Sequence, residues 1–226
     1  MIDTVLFDFV NTIAFLTPHK EHILTKYCEE NNLEVISRLD ILRCYAELDG
    51  EMPYSSVTIK KDSEKRKFYN EYNRKLFKKL GIQGHEKFYD FYHSTEKEWA
   101  LDNNVHEVFN YLKEKQVRIG ILSNFDDNLE NILLKLNILN MLDFVVVSAK
   151  VGLEKPSVEF YNYAKTRYNI DTNSAIYIGD SYELDYAPST ESGFVSFLID
   201  RDDVIEQKVR KIKNLNDLKR EVDNAA

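Results

Sequence analysis

Two kinds of hydrophobic pattern divide this 226-residue chain. Four short apolar runs, Thr4–Phe7, Ile119–Leu122, Phe144–Val147 and Ala175–Ile178, contain no charged residue; the first gives way to Asp8, the second to Ser123, the third to a short loop and the fourth to Gly179-Asp180. They are too short for helices, and their apolar character does not alternate. They therefore predict parallel strands covered on both faces. Phe194–Ile199 predicts a further strand. From Val105 onward the strands alternate with helical stripes: Val105, Val108, Phe109 and Leu112; then Leu129, Ile132, Leu133 and Leu136; then Val158, Tyr161 and Ala164. This is the spacing of βαβ units.

The stretch from about His19 to Trp99 breaks that rhythm. It has no strand-like run and is rich in Tyr, Lys and Glu at helical spacing. Ile23, Tyr27 and Leu33 suit one helix, and Leu39, Leu42, Tyr45 and Leu48 a second that stops at Gly50. Phe68, Tyr72, Leu76 and Leu80 suit a third, closed by Gly81, and Phe88, Phe91 and Tyr92 a fourth. The expected architecture is an α/β, doubly wound, Rossmann-like parallel sheet formed by residues 1–15 and 99–226. An all-helical cap, residues 16–98, is inserted after the first strand.

Composition narrows the class. A net charge of −8 argues against a nucleic-acid polyanion as partner. The basic clusters Lys60-Lys61, Lys65-Arg66-Lys67 and Lys78-Lys79 are interrupted by acidic and aromatic residues, as on a solvated helix face. Only two cysteines occur, Cys28 and Cys44, with no CxxC pair, so reduced thiols are expected. No basic n-region precedes the first apolar run, and Asp3 and Asp8 interrupt it, which predicts no signal peptide. The expectation is a cytoplasmic protein, monomer or homodimer, that engages neither membrane nor nucleic acid.

The chemistry lies where the strands end. Asp8 follows the first run, with Thr12 beyond it. Ser123-Asn124 follow the second, Lys155-Pro156 come a short loop after the third, and Gly179-Asp180 end the fourth, with Asp185 shortly after. Each also suits a structural role: Asp8 as a cap or turn former, Lys155 as an exposed residue ahead of a helix, Asp185 as a first-turn acid. Those roles do not explain why all of them fall at carboxyl ends of strands, where open α/β sheets bind ligands. Gathering two or three carboxylates there is costly without a cation, and a hard divalent ion such as Mg²⁺ would answer that cost. The scattered histidines (His19, His22, His85, His93, His106) show no zinc-like spacing. Cap aromatics such as Tyr45, Tyr54, Tyr69, Phe91 and Trp99 suit helix packing better than a substrate pocket.

In order, these residues resemble the four motifs of the haloacid dehalogenase (HAD) superfamily, in its subgroup with a helical cap (C1) after the first strand. Asp8-Phe9-Val10-Asn11-Thr12 resembles the first, Leu122-Ser123-Asn124 the second, Lys155-Pro156 the third, and Gly179-Asp180-Ser181 through Asp185 to Gly193 the fourth. The resemblance implies a Mg²⁺-dependent hydrolase, a phosphatase acting on a small phosphorylated metabolite. Asp8 would be the nucleophile and form an aspartyl-phosphate. Asp8, Asp180 and the Val10 carbonyl would hold Mg²⁺. Ser123, the Asn124 backbone N–H and Lys155 would bind the phosphoryl oxygens. Thr12 would hold the first loop, and Asp185 would support Lys155 or the water around the metal. Asn11 stands where the family has Gly, a tolerable change because Asn accepts φ > 0.

Val10 departs from the pattern. Phosphatases of the family carry there an Asp that protonates the leaving oxygen and then activates water, and Val can do neither. Two other implications follow. One is a catalytically weak protein that binds a phosphorylated ligand or a protein partner. The other is a phosphonatase, whose family members carry Ala at this position, or a dehalogenase, whose members carry Tyr. Dehalogenases lack the Gly-Asp that Gly179-Asp180 keeps here.

Overall fold

The computed structural model describes residues 1–55 and 57–224. In chain order its elements are β1 (Thr4–Phe7), β2 (Ala14–Thr17), α1 (Lys20–Glu30), α2 (Arg38–Glu51), α3 (Asp62–Lys79), α4 (Phe88–Ser94), β3 (Glu98–Leu101), α5 (Val105–Glu114) and β4 (Arg118–Ser123). There follow α6 (Leu129–Lys135), β5 (Phe144–Val147), α7 (Ser148–Val151), α8 (Val158–Tyr168), β6 (Ala175–Gly179), α9 (Ala187–Glu191), β7 (Val195–Ile199), β8 (Lys211–Ile212) and α10 (Asp217–Asn224).

Six strands form one sheet in the order β5-β4-β1-β6-β7-β8. Every pair in it is parallel. From β1 the sheet grows one way through β4 and β5, then the other way through β6, β7 and β8. This is a doubly wound, Rossmann-like α/β sheet whose topological switch lies at β1. Register aligns the strand ends that matter. Phe7 pairs with both Ile121 and Ile178, Ser123 with Val147, and Gly179 with Leu198. Successive residues of a strand face opposite sides, and β1 uses both. Leu6 packs with Leu122, Phe160, Tyr161 and Tyr177 on one face. Phe7 meets Phe109 of α5 on the other, with ring centroids 5.3 Å apart. All four residues of the predicted α5 stripe are buried.

The chain divides into two units, Met1–Phe15 with Ala100–Ala226, and Leu16–Trp99. The second has its own core. Ile23, Leu24, Tyr27 and Cys28 of α1 pack with Ile41, Tyr45 and Leu48 of α2, with Tyr72, Leu76 and Phe77 of α3, and with Phe88 of α4. The Tyr45 and Phe91 rings serve this packing, Phe91 lying 5.1 Å from Tyr27.

Several expectations need correction. In α2 the buried stripe is Ile41, Tyr45 and Leu48, while Leu39 is exposed. Both sets fit a helical period, and the choice between them is made by neighbouring elements. Gly50 lies inside α2, which runs on to Glu51. Leu33 sits beyond the end of α1, its N–H closing onto the Cys28 carbonyl at 2.9 Å. The pairing of β2 with β3 was not visible as apolar runs, because those strands are only half-buried. The short β8 and α10 are further elements beyond the expected set. Gly81 does terminate α3 as expected, at φ 72°.

Candidate active site

Asp8 is placed by the sheet. It is the first residue past β1, and its N–H still donates to the Ile178 carbonyl at 2.8 Å, so the strand ladder fixes its backbone. The chain then turns sharply. The Ile13 and Ala14 N–H groups both return to the Phe9 carbonyl, and Asn11 adopts φ 57°. Asn is among the few residues other than Gly that accept this conformation readily.

Lys155 arrives from the loop after α7, the helical turn that interrupts the expected short loop beyond β5, and is 4 % exposed, so it is no surface residue. Its Nζ donates to Asp8 Oδ1 at 2.6 Å and to Asp185 Oδ1 at 2.7 Å. Asn124, at the end of β4, fixes its backbone. The Lys155 N–H donates to Asn124 Oδ1, and Asn124 Nδ2 donates to the Lys155 carbonyl, both at 2.8 Å. That paired amide contact is a role for the Asn124 side chain that the sequence did not disclose. The Asn124 loop is held in turn by Ser148 of α7, whose Oγ accepts from the Phe125 N–H at 3.0 Å and donates to the Phe125 carbonyl at 3.2 Å.

Asp185 sits in the wide helical turn Tyr182–Tyr186 that follows β6. It is 2 % exposed and accepts from Tyr177 Oη at 2.8 Å and from the Ser181 N–H at 3.1 Å. Burial, reinforced by Asp185, pushes the Tyr177 phenol well above its usual range, so it stays a neutral donor. Gly179 makes the approach feasible, because a Cβ there would fall inside the Asp185 carboxyl. Tyr177 and Gly179 are supports that apolar pattern alone assigns to the strand and nothing more.

Asp8, Asp180 and Asp185 each offer a carboxylate oxygen within 4.8 Å of the others. Lys155 contacts two of the three. Burial is the largest influence on Asp8 and raises its pKa; Lys155 opposes it, and Asp185 adds to it, leaving the Asp8 carboxyl at about 6. Burial also works against the Lys155 ammonium, but Asp185 and Asp8 outweigh it and hold that group above its usual range. A single ammonium thus leaves the cluster short of positive charge. Hard oxygen donors at this spacing fit a small divalent cation. The buried Ser123 Oγ and Thr12 Oγ1 have no hydrogen-bond partner, an uncommon state for buried hydroxyls that suits oxygens waiting for a ligand. Val10, half-buried in the same loop, brings only a backbone carbonyl and an apolar side chain. No histidine joins an acidic cluster of this kind among the described residues.

The structure brings Asp8, Lys155, Asp180 and Asp185 together. Ser123 and Asn124 follow β4, the strand paired beside β1. Among the described residues no helix is long and apolar enough to cross a membrane.

Comparison with known proteins bears on this arrangement. Residues 5–199 match the family model described as haloacid dehalogenase-like hydrolase. The mouse haloacid dehalogenase-like hydrolase domain-containing protein 3 is 30% identical over 112 residues, which span 50% of this chain and 45% of that protein. The glyceraldehyde 3-phosphate phosphatase of Methanocaldococcus jannaschii is 30% identical over 86 residues, 38% of this chain and 30% of that one. The alignments thus span less than half the length of these relatives. Among solved structures, a HAD-hydrolase of Bacillus subtilis bound to magnesium shares the fold, with a TM-score of 0.64 at 18% identity over 98% of both chains.

Proposed function

Since the chain belongs to the haloacid dehalogenase-like hydrolase family, we propose that it is a phosphatase acting on a small phosphorylated metabolite through Asp8. The observation that carries this reading is the buried set of Asp8, Lys155 and Asp185, with Asp180 and the unpartnered Ser123 hydroxyl at the same end of the sheet. The glyceraldehyde 3-phosphate phosphatase among its relatives supports it.

Asp8, Asp180 and the Val10 carbonyl would hold Mg²⁺. When bound, the ion neutralises charge between substrate and site and aligns the phosphoryl group for in-line attack. The chain's own residues do the rest. An Asp8 carboxylate oxygen attacks phosphorus, the bond to the leaving oxygen breaks, and an acyl phosphate forms on Asp8. Ser123 Oγ donates to a phosphoryl oxygen, filling its open hydrogen-bond capacity, with the Asn124 N–H beside it. Lys155, locked by Asp185 and the Asn124 amide, screens the phosphoryl charge without giving up its proton. Water then attacks the acyl phosphate, which releases inorganic phosphate and restores Asp8.

Val10 sets the limit of this cycle. It can neither protonate the leaving oxygen nor take a proton from water, and a positioned acid/base is worth about 10²- to 10⁴-fold in rate. The reading therefore favours substrates whose leaving oxygen needs no proton, such as acyl or aryl phosphates, over simple alkyl phosphates. The same residue supports a second reading, a slow protein whose task is to bind a phosphorylated ligand or a partner. One experiment separates them. Phosphate release is assayed over a panel of alkyl, aryl and acyl phosphates with Mg²⁺, in the native protein, Asp8→Asn and Val10→Asp. The phosphatase reading predicts Mg²⁺-dependent turnover that is abolished in Asp8→Asn and ranked by leaving group. Slow turnover everywhere, with a large gain in Val10→Asp, would favour the binding reading.

A further inference from the structure

The end of β7 holds a group that the chemistry above does not use. Arg201, two residues past that strand and outside the stretch matched by the family model, turns its guanidinium onto the loop that follows the nucleophile. Its Nη1 donates to the Asn11 carbonyl at 2.7 Å and its Nη2 to the Thr12 carbonyl at 2.8 Å. Nη2 also donates to Asp102 Oδ2 at 2.8 Å, and the guanidinium carbon lies 4.8 Å from the centre of the Phe15 ring. Asp102 is nearly buried and is itself fixed: its N–H donates to the Ile13 carbonyl at 2.9 Å, and its Oδ1 accepts from the Asn104 N–H at 2.9 Å. One planar fork thus gathers two successive carbonyls, a carboxylate and an aromatic face, which the single point of a Lys ammonium cannot reproduce.

The loop has reason to need such a clamp. Asn11 holds a left-handed backbone, one that Asn accepts readily and that turns the chain between two groups of the site. The residue on one side, Val10, offers the carbonyl assigned to the metal. The residue on the other, Thr12, carries a buried hydroxyl with no partner. A rotation of either peptide would redirect both.

We propose that Arg201 is a positioning residue: by clamping the Asn11 and Thr12 carbonyls it sets the direction of the Val10 carbonyl and of the Thr12 hydroxyl, and so tunes metal affinity. The metal part of this statement rests on the phosphatase reading, whereas the clamp itself does not.

The test measures three quantities in native protein, Arg201→Lys and Asp102→Asn. These are Mg²⁺ binding by calorimetry with the metal alone, thermal midpoint, and amide hydrogen exchange resolved by segment. In Arg201→Lys the Mg²⁺ dissociation constant should rise about tenfold or more, the usual cost of removing a support behind a metal ligand. Exchange should accelerate in residues 9–15 while the strands of the sheet stay protected and the midpoint moves by only a few degrees. Asp102→Asn, which keeps both carbonyl contacts, should give a smaller change in the same direction. For Arg201→Ala, added guanidinium at millimolar concentration should restore part of the Mg²⁺ affinity. Unchanged Mg²⁺ affinity together with unchanged exchange in residues 9–15 of Arg201→Lys would overturn the proposal. If the native protein itself binds no Mg²⁺, the phosphatase reading fails, and the exchange data still decide the clamp. If Arg201→Lys does not fold, Asp102→Asn decides it: native exchange in residues 9–15 would then overturn the proposal.

Discussion

At the scale of single residues, the account turns on charge that is buried before any substrate arrives. Lys155 holds two buried carboxylates, and burial alone would drive that of Asp8 toward protonation. Removing one partner of such a pair is costlier than removing both, because the other charge is left uncompensated. Lys155→Met should therefore destabilise the metal-free protein by about 3 kcal/mol or more, measured by urea denaturation, and Mg²⁺ should recover part of that loss. A Lys155→Met protein as stable as the native one would mean that the ammonium is not structural. Gly179 makes a second case. Its Cβ position is filled by the Asp185 carboxyl, so Gly179→Ala must shift the turn that carries Asp185. Overpacking of this kind costs about 1–3 kcal/mol, and turnover should fall with it. Full activity in Gly179→Ala would show that Asp185 does not need its present place.

At the scale of elements, the legibility of the chain follows from burial. β1, β4, β5 and β6 are covered on both faces, and unbroken apolar runs at Thr4–Phe7 and Ala175–Ile178 leave few alternatives. The α5 stripe is legible for the same reason. Phe109→Ala should cost about 3–5 kcal/mol, whereas Leu134→Ala on the exposed side of α6 should stay within about 0.5 kcal/mol of native. Denaturation of the two variants checks both values. Where an element is half-buried, the pattern fades: β2 and β3 carry mixed residues, and in α2 the exposed Leu39 fits the helical period as well as the buried Ile41 does. The site was legible as a set of strand ends, since carboxylates and a lysine stand out against apolar runs. Its supports were not. Tyr177 reads as one more strand residue, Asn124 as a phosphate ligand only, and Arg201 as one of many surface cations. Their roles depend on contacts across 8, 31 and up to 190 positions of sequence.

At the scale of the whole molecule, two units with separate cores share one chain, and the chemistry assigned here lies in the unit built on the six-stranded sheet. A net charge of −8 makes the electrostatics of an anionic substrate unfavourable except where Lys155 and a bound cation change the local sign. That dependence carries a pH signature. Asp8 titrates at about 6 in the metal-free protein, above the ordinary carboxylate value, and a protonated carboxyl is a poor ligand. Mg²⁺ affinity should therefore hold above pH 6 and decline as pH falls through that value, with proton release on binding near it. Calorimetry in buffers of differing ionisation enthalpy reads both effects. Affinity independent of pH between 5 and 7 would remove Asp8 from the ligand set. The most direct measurement is mass spectrometry of the protein quenched during turnover of acetyl phosphate with Mg²⁺. The account predicts one added phosphoryl group, located on the peptide containing Asp8 and absent from Asp8→Asn. Turnover with no adduct on that peptide, or turnover that survives Asp8→Asn, would contradict it.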